Sequence, residues 1–436
     1  MQNCRPSDHK KRNLTLSKKG QPLALYAVGM VTTMKNNERI YLDNAATSLV
    51  APEVLSAAEE FTNMLRDRTI STGDVTRAQR NSLVTARKTV ASILNCEAEE
   101  IALVQCTSHA FGILVNCLPL KKGDNVLICD LEYQASTICW RPRMDEIGFE
   151  LREVKTSGGR VTADDFRKYI DENTRVILLA AVQEINGFRA DVKEIGKLAK
   201  EYGCYYIVDG IQEIGAFGVD VKDIDMDFYC AGGKKWLGNP FGMGFLYIKK
   251  EHLKTLKPAY YSYFDIQVPD QYADYLTYLE DPKRHPFDSY RVSPDASVFE
   301  IGGYGNYIGA MGLTKSINLL TDYGMDRVEA HNRKLARKLY DGLSALGMHL
   351  SSPAEDQHMA PIITFSFSGL ENNDVTREKK LVQYLQEHNI FVSLRCSTGV
   401  GGVRVSVHYY TPEYYVDRFL EAVASFVKQA NAEIEE

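Results

Sequence analysis

Between about residue 85 and residue 250 the chain alternates short apolar runs with amphipathic stretches, and few folds satisfy that alternation. IALVQ, NVLICD, FELREV, RVILLAAV, YYIVDG and DFYCAG read as strands, while VTARKTVASIL, TADDFRKYI and DVKEIGKLAKEYG carry helical spacing. Strands that alternate with helices imply right-handed crossovers and a mainly parallel sheet flanked by helices on both faces, an α/β fold. Such sheets take their ligands beyond the carboxyl ends of the strands, so the residues that follow the strands carry the functional reading.

The rest of the chain is organised differently. Residues 258–297 are rich in Tyr, Pro and Asp without clear periodicity and read as an irregular excursion. A long helical pattern over residues 314–346 precedes the strands ITFSFSG, IFVSL and GVRVSV and the helix EYYVDRFLEAVASFVKQA, which predicts a smaller α+β domain. The expected division is an extension over 1–38, a large domain over 39–300 and a small C-terminal domain over 301–436. The extension is basic and then weakly apolar (HKKRNLTLSKKG, QPLALYAVGMV), which imitates a signal peptide. The apolar part is short, begins at a proline and has no small-residue cleavage site, so it reads as a disordered extension, or as sequence upstream of a start at Met30 or Met34.

With 44% hydrophobic and 25% charged residues and a formal net charge of -6, nothing favours nucleic acid or an anionic membrane as partner. Nine scattered cysteines with no CxxC pair suggest neither a disulfide framework nor a metal site, and point to a reducing, cytoplasmic setting.

In CAGGKKWLGNPFGMGFLYI, Lys234 and Lys235 stand between a glycine pair and apolar mass from Trp236, Phe241, Met243, Phe245 and Leu246. An isolated GGKK is ordinarily a solvated turn. In these surroundings a lysine loses protonation and becomes a competent amine nucleophile, with its neighbour left to face an anion. Asp209 ends the strand YYIVD and Gln212 follows three residues on. A carboxylate there either caps the next helix or faces a cation. Thr107 and Ser108, in CTSHA, stand at a helix start, where hydroxyls and free N–H groups suit phosphate and also serve as ordinary caps. Tyr133, after the strand NVLICD, offers a face for a flat ring or for simple packing.

A lysine for an aldehyde, an acid for a pyridine nitrogen, hydroxyls for a phosphate and an aromatic face are the parts for holding pyridoxal 5'-phosphate. From YLDNAATSLVAP (41–52) through VDGIQEIGAFGVDV, AGGKKWLGNPFGMGFLYI and VFEIGGYGN to GVRVSVHYYTPEYYVDRFL (402–420), the chain resembles the class V aminotransferase and cysteine desulfurase group of fold-type I pyridoxal phosphate enzymes. The resemblance implies that Asp209 pairs with the pyridine nitrogen, Gln212 bonds the phenolic oxygen and Lys235 is the Schiff-base lysine. It further implies that Thr107 and Ser108 belong to the phosphate turn, and that Arg404 clamps a substrate α-carboxylate. Lys234 and Tyr133 stand where the family usually has histidine, and Gly303 where it has a phosphate-binding threonine. Lys234 is then a compensating charge. In VQEINGFRAD the residue near the cofactor oxygen is left open among Gln183, Glu184 and Asn186, and this segment is closer to the epimerase-like and lyase-like branch.

The expectation is a homodimeric enzyme acting at the α- or β-carbon of an amino acid, with Lys235 as general base and acid and Asp209 keeping the ring nitrogen protonated. A cysteine desulfurase is the first alternative, set against by Cys396, which follows Arg395 and precedes Arg404 by only eight residues. A non-catalytic binding or scaffold protein on the same fold is the second.

Overall fold

Seven strands form the sheet that carries the site, in the order Ile101–Val104, Gly244–Ile248, Phe228–Gly232, Tyr205–Asp209, Thr174–Ala180, Asn125–Cys129, Glu150–Val154. The five from Phe228–Gly232 to Glu150–Val154 pair in parallel; Gly244–Ile248 runs antiparallel to both of its neighbours. The computed structural model describes residues 38–68, 73–263, 265–272, 275–285, 287, 290–300, 305–370 and 374–435. Most of the expected N-terminal extension, residues 1–37, lies outside them, as does Gly303.

Successive strand residues enter two different cores. Val126, Ile128, Val176, Leu178, Ile207, Phe228 and Cys230 pack on one face, while Leu127, Cys129, Ile177, Leu179, Tyr206, Val208, Tyr229 and Ala231 pack on the other. A strand covered on both faces is apolar without alternation, which is why these runs are so plain in the sequence. Truncating a fully buried residue here, as in Ile207→Ala, costs about 2–5 kcal/mol through lost transfer energy and the cavity left behind. The helix Val192–Tyr202 shows how such covers are built. Asp191 caps its N-terminus by accepting from the Glu194 N–H, Gly203 ends it in the left-handed region, and Ile195, Leu198 and Ala199 are buried.

A second sheet has the order His349–Leu350, Ile362–Ser366, Val400–Ser406, Ser393–Ser397, all antiparallel. The first described strand, Ile40–Tyr41, pairs in parallel with Ile390–Phe391, and Asp43 bridges to Ser406. Residues 40–44 therefore lie against the C-terminal strands despite their early place in the chain. The long helical pattern over 314–346 is two helices, Tyr307–Tyr323 and Met325–Ala345, parted at Gly324 with φ of 98°. That backbone suits glycine, and the helical period alone does not register the break. The Tyr-rich excursion holds a two-residue antiparallel pairing of Arg291–Val292 with Ile266–Gln267 and the short helix Tyr275–Leu279. Among the described residues no helix is long and apolar enough to cross a membrane, and the described cysteines are free.

Candidate active site

The loop after strand Phe228–Gly232 is fixed from three directions. The Gly233 N–H donates to Met243 O at 2.9 Å and the Asn239 N–H to Gly233 O at 2.9 Å, which closes the turn on itself. The Lys234 carbonyl accepts from the Ser48 N–H at 3.0 Å and from Thr47 Oγ1 at 3.1 Å. Trp236 Nε1 donates to Gln212 Oε1 at 2.8 Å, and buried His408 holds the Trp236 carbonyl through Nε2 at 3.1 Å. Lys235 is thus presented by a rigid turn at the carboxyl end of a parallel strand, where open sheets bind ligands.

Lys235 keeps part of its surface open, while its ammonium is surrounded by protein. Burial pushes its pKa down to about 8, against the opposing charges of Asp209 and Glu184. Asp209 is 4% exposed, and burial raises its carboxyl to about 6 although the Ile211 N–H donates to Oδ1 at 2.9 Å and Lys235 pulls the other way. A buried acid and a buried amine feel each other here, and among the described residues neither carries a close salt bridge. Lys235 Nζ lies 5.9 Å from the centroid of the Tyr133 ring, which is 55% exposed.

Thr107 and Ser108 begin the helix Thr107–Cys117, whose first N–H groups have no acceptor within the helix. Thr107 is buried and its Oγ1 makes no hydrogen bond. A Cβ on Gly232 would sit 3.4 Å from that oxygen, so the helix start and the end of the lysine strand are in contact. Ser108 is exposed. Lys234 is directed to the Phe241 ring, 5.3 Å from its centroid. Gln212 is 2% exposed; besides accepting from Trp236 it donates from Nε2 to Ala45 O at 3.0 Å.

The three residues left open in VQEINGF separate by geometry. Asn186 braces a turn, donating to Gly159 O at 2.8 Å and accepting from the Phe188 N–H at 3.0 Å. Gln183 donates to Glu132 Oε1 at 2.9 Å. Glu184 reaches Arg404, which is 1% exposed; Arg404 Nη1 donates to the Glu184 carbonyl at 3.0 Å and to Glu184 Oε2, and Nη2 donates to Asp43 Oδ1 at 3.1 Å. The sequence reading did not single out Asp43 or Glu132. Asp43 sits in the quoted YLDNAATS motif, which was its only signal. Glu132 is buried beside Tyr133 and its carboxyl is pushed up to about 7 by burial, while it accepts from the Ala180 N–H at 2.8 Å and from Gln183.

A buried lysine of lowered pKa, a buried carboxyl facing it, an unpaired hydroxyl at a helix start and an aromatic face therefore lie round one end of the sheet. Comparison with known proteins bears on the family and the fold. A Methanothermobacter thermautotrophicus protein described as "Probable cysteine desulfurase" is 28% identical over 386 residues, covering 86% of this chain and 91% of its own. The apo structure of a cysteine desulfurase from Thermococcus onnurineus superposes with a TM-score of 0.78 at 25% identity, covering 90% of this chain and 95% of the other. A C-DES variant structure, described with glycine covalently linked to its PLP cofactor, shares the fold with a TM-score of 0.80 at 17% identity, covering 93% of this chain and 99% of the other. The model of the aminotransferase class-V family matches residues 40–419, and the chain belongs to that family.

Proposed function

We propose that this chain is a pyridoxal phosphate-dependent enzyme that works at the α- or β-carbon of a small amino-acid-type molecule, with Lys235 as its covalent and proton-transferring residue. The observation that carries the reading is the Lys235–Asp209 pair, an amine and a carboxyl both shifted by burial and both aware of each other. The residues fit the cofactor on a further count. The orphaned Thr107 Oγ1 is a buried polar atom in want of a partner, and a phosphate oxygen is such a partner. Lys235 would hold the aldehyde carbon, Asp209 the pyridine nitrogen, Thr107 and Ser108 the phosphate, and Tyr133 one ring face. When bound, the cofactor supplies an electron sink for charge left at the α-carbon.

The chain's own part is proton handling and order. With its pKa near about 8, Lys235 is roughly one-tenth neutral amine at pH 7, far more than an exposed lysine offers. It can take a proton from a substrate carbon and return one on the same side of the sheet end. Asp209, anchored by the Ile211 N–H, would present its carboxylate to the pyridine nitrogen, and a cation there would lower the carboxyl's own pKa. The fixed turn under Lys235 holds the amine in place without reorganisation.

A cysteine desulfurase is the second reading, favoured by the description of the sequence relatives. Against it stands Cys396, which, though exposed, is paired with Gly401 across a two-residue hairpin turn, and whose thiol is pushed up by the protein packed round the sulfur. We further infer a homodimer in the cytoplasm, from the family and the absence of any expected disulfide. The test is to incubate the protein with the cofactor, reduce with borohydride and map the modified peptide. Label on Lys235 supports the reading; label elsewhere, or none, ends it.

A further inference from the structure

Three donors converge on one oxygen of Glu132 and none reaches the other. Oε1 accepts from the Ala180 N–H at 2.8 Å, from Gln183 Nε2 at 2.9 Å and from the Cys129 thiol at 3.3 Å. Burial keeps that thiol protonated and so able to donate. Oε2 is buried and makes no hydrogen bond, and the same is true of Gln183 Oε1. Two buried acceptors are thus left bare on two groups already joined through Nε2 and Oε1. Each such atom costs about 1–3 kcal/mol, so the pair calls for one explanation.

A single added proton supplies it. A protonated carboxyl donates as well as accepts, and an amide offers it one N–H and one C=O. With a proton on Oε2 given to Gln183 Oε1, Glu132 satisfies both bare oxygens at once. As a carboxylate it would be a buried charge without a cation, since among the described residues no lysine or arginine forms an ion pair with it. Of the other titratable groups that face it, Asp209 adds a negative charge that favours the proton on Glu132, and Tyr206 is kept neutral by burial. Burial first, and that charge with it, push the carboxyl up to about 7.

The place of this acid gives it a task. Strand Asn125–Cys129 pairs with Thr174–Ala180 only as far as Ile128 and Leu178, and Glu132 supplies the acceptor that the Ala180 N–H lacks beyond that point. Ala180 is in register with Asp209, and the Ala181 N–H donates to the Asp209 carbonyl at 2.9 Å. Tyr133, whose ring centroid lies 5.9 Å from Lys235 Nζ, follows Glu132 in the chain. One side chain therefore ties the strand end beside Asp209 to the residue that carries the aromatic face. We propose that Glu132 is a positioning residue of this site, a neutral acid sharing its Oε2 proton with Gln183 Oε1, which fixes Tyr133 and the strand end at Asp209 for the cofactor. This deepens the reading above, because the two groups it fixes are those which that reading gives to the cofactor ring.

The first measurement uses cofactor-free protein. Infrared difference spectra of wild type against Glu132→Gln are taken at about pH 6, where a group titrating near about 7 is roughly nine-tenths protonated. The expected result is a carboxylic acid C=O band that the variant lacks; carboxylate bands in its place overturn the proposal. The second measurement loads the proteins with pyridoxal phosphate and reads its dissociation constant and the induced circular dichroism of its visible band. Glutamine is the shape of the neutral acid, with an N–H where the acid has its O–H, so Glu132→Gln is expected to match wild type within about twofold. Glu132→Ala strands the Ala180 N–H and the Gln183 amide, and is expected to hold the cofactor at least about tenfold more weakly and with a smaller induced signal. If Glu132→Ala does not fold, Glu132→Asp, one methylene too short to keep all these bonds, takes its place with the same expectation. A Glu132→Gln as impaired as the alanine or aspartate variant, or all variants equal to wild type, overturns the proposal. Borohydride label that misses Lys235 in the wild type instead brings down the underlying reading, and the positioning role with it, while the infrared band still reports the acid.

Discussion

Lys234 and Lys235 are neighbours in the chain with different surroundings: Lys234 Nζ lies 5.3 Å from the centroid of the Phe241 ring, Lys235 Nζ 5.9 Å from that of Tyr133. Burial lowers Lys235 to about 8. Phe241 is 71% exposed, so the Lys234 side lies toward solvent. Lys235→Ala is expected to abolish both the visible cofactor band and borohydride-fixed label, whereas Lys234→Ala keeps the label and at most weakens retention. Label that survives in Lys235→Ala and vanishes in Lys234→Ala would exchange the roles of the two residues.

Asp209 is the natural target for separating cofactor capture from chemistry. Its carboxyl lies at a strand end, fixed by the Ile211 N–H at 2.9 Å, and its removal leaves the Lys235 turn untouched because none of that turn's hydrogen bonds involves the Asp209 side chain. Asp209→Ala is expected to retain covalent label on Lys235 but to exchange substrate α-protons with solvent at least about 10²-fold more slowly, the scale of losing one preorganised electrostatic partner. Proton exchange measured by NMR at an unchanged rate would take Asp209 out of the mechanism.

The parts of this arrangement that were legible in the sequence are those with local causes. The strands ending at Asp209 and before Lys235 are apolar on both faces because both faces are covered, and the apolar mass round Lys235 is contiguous with it in the chain. What was not legible depends on closure over long distances. Arg404 meets Asp43 across 361 positions and Glu184 across 220, and no period or composition reports such a pairing. The choice among Gln183, Glu184 and Asn186 was undecidable for the same reason, since one turn sends the three side chains to three different partners. The break at Gly324 hides inside a helical period that continues on both sides.

His408 makes acid stability a direct measurement. Its ring stacks on Trp236 at 5.2 Å and on Tyr410 at 4.4 Å, Nε2 faces the Trp236 carbonyl and Nδ1 accepts from the Tyr409 N–H at 2.9 Å. A second proton has no place on that ring, and burial holds its pKa down to about 3 against an ordinary 6.5. Between those values the unfolded chain binds a proton that the folded chain refuses, so this residue's contribution to stability is lost as pH falls from about 6.5 toward 3 and is constant above. Buried Glu132, raised to about 7, acts with the opposite sign, since the fold holds its proton more tightly than the unfolded chain does. The two are separated by His408→Phe, which removes only the first. Urea midpoints measured from about pH 7 down to about pH 4 are expected to fall less steeply in His408→Phe than in wild type, although the variant starts lower. Parallel slopes would show that His408 titrates in the fold as it does in the unfolded chain.

Cys396 decides between the two chemical readings. A persulfide relay needs a thiolate on a segment that can travel to the substrate sulfur. Here Ser397 pairs with Val400, and Thr398 and Gly399 make the turn with φ of 48° and 77°, the two left-handed residues of a tight hairpin. Cys396 is in register with Gly401, which ties its backbone into the hairpin; the residue is exposed at the surface, yet the protein packed round its sulfur pushes the thiol up, away from the thiolate. Arg395, its neighbour, directs a guanidinium nitrogen to the Leu394 carbonyl, and no hydrogen bond joins it to the sulfur. Cys396→Ser is therefore expected to leave kcat/KM for breakdown of cysteine within about twofold of wild type, an exposed strand position having little other effect. Sulfide, ammonia and pyruvate should appear without alanine. Alanine formed in step with a persulfide on Cys396, both lost in Cys396→Ser, would instead make the chain a desulfurase with an unusually rigid thiol.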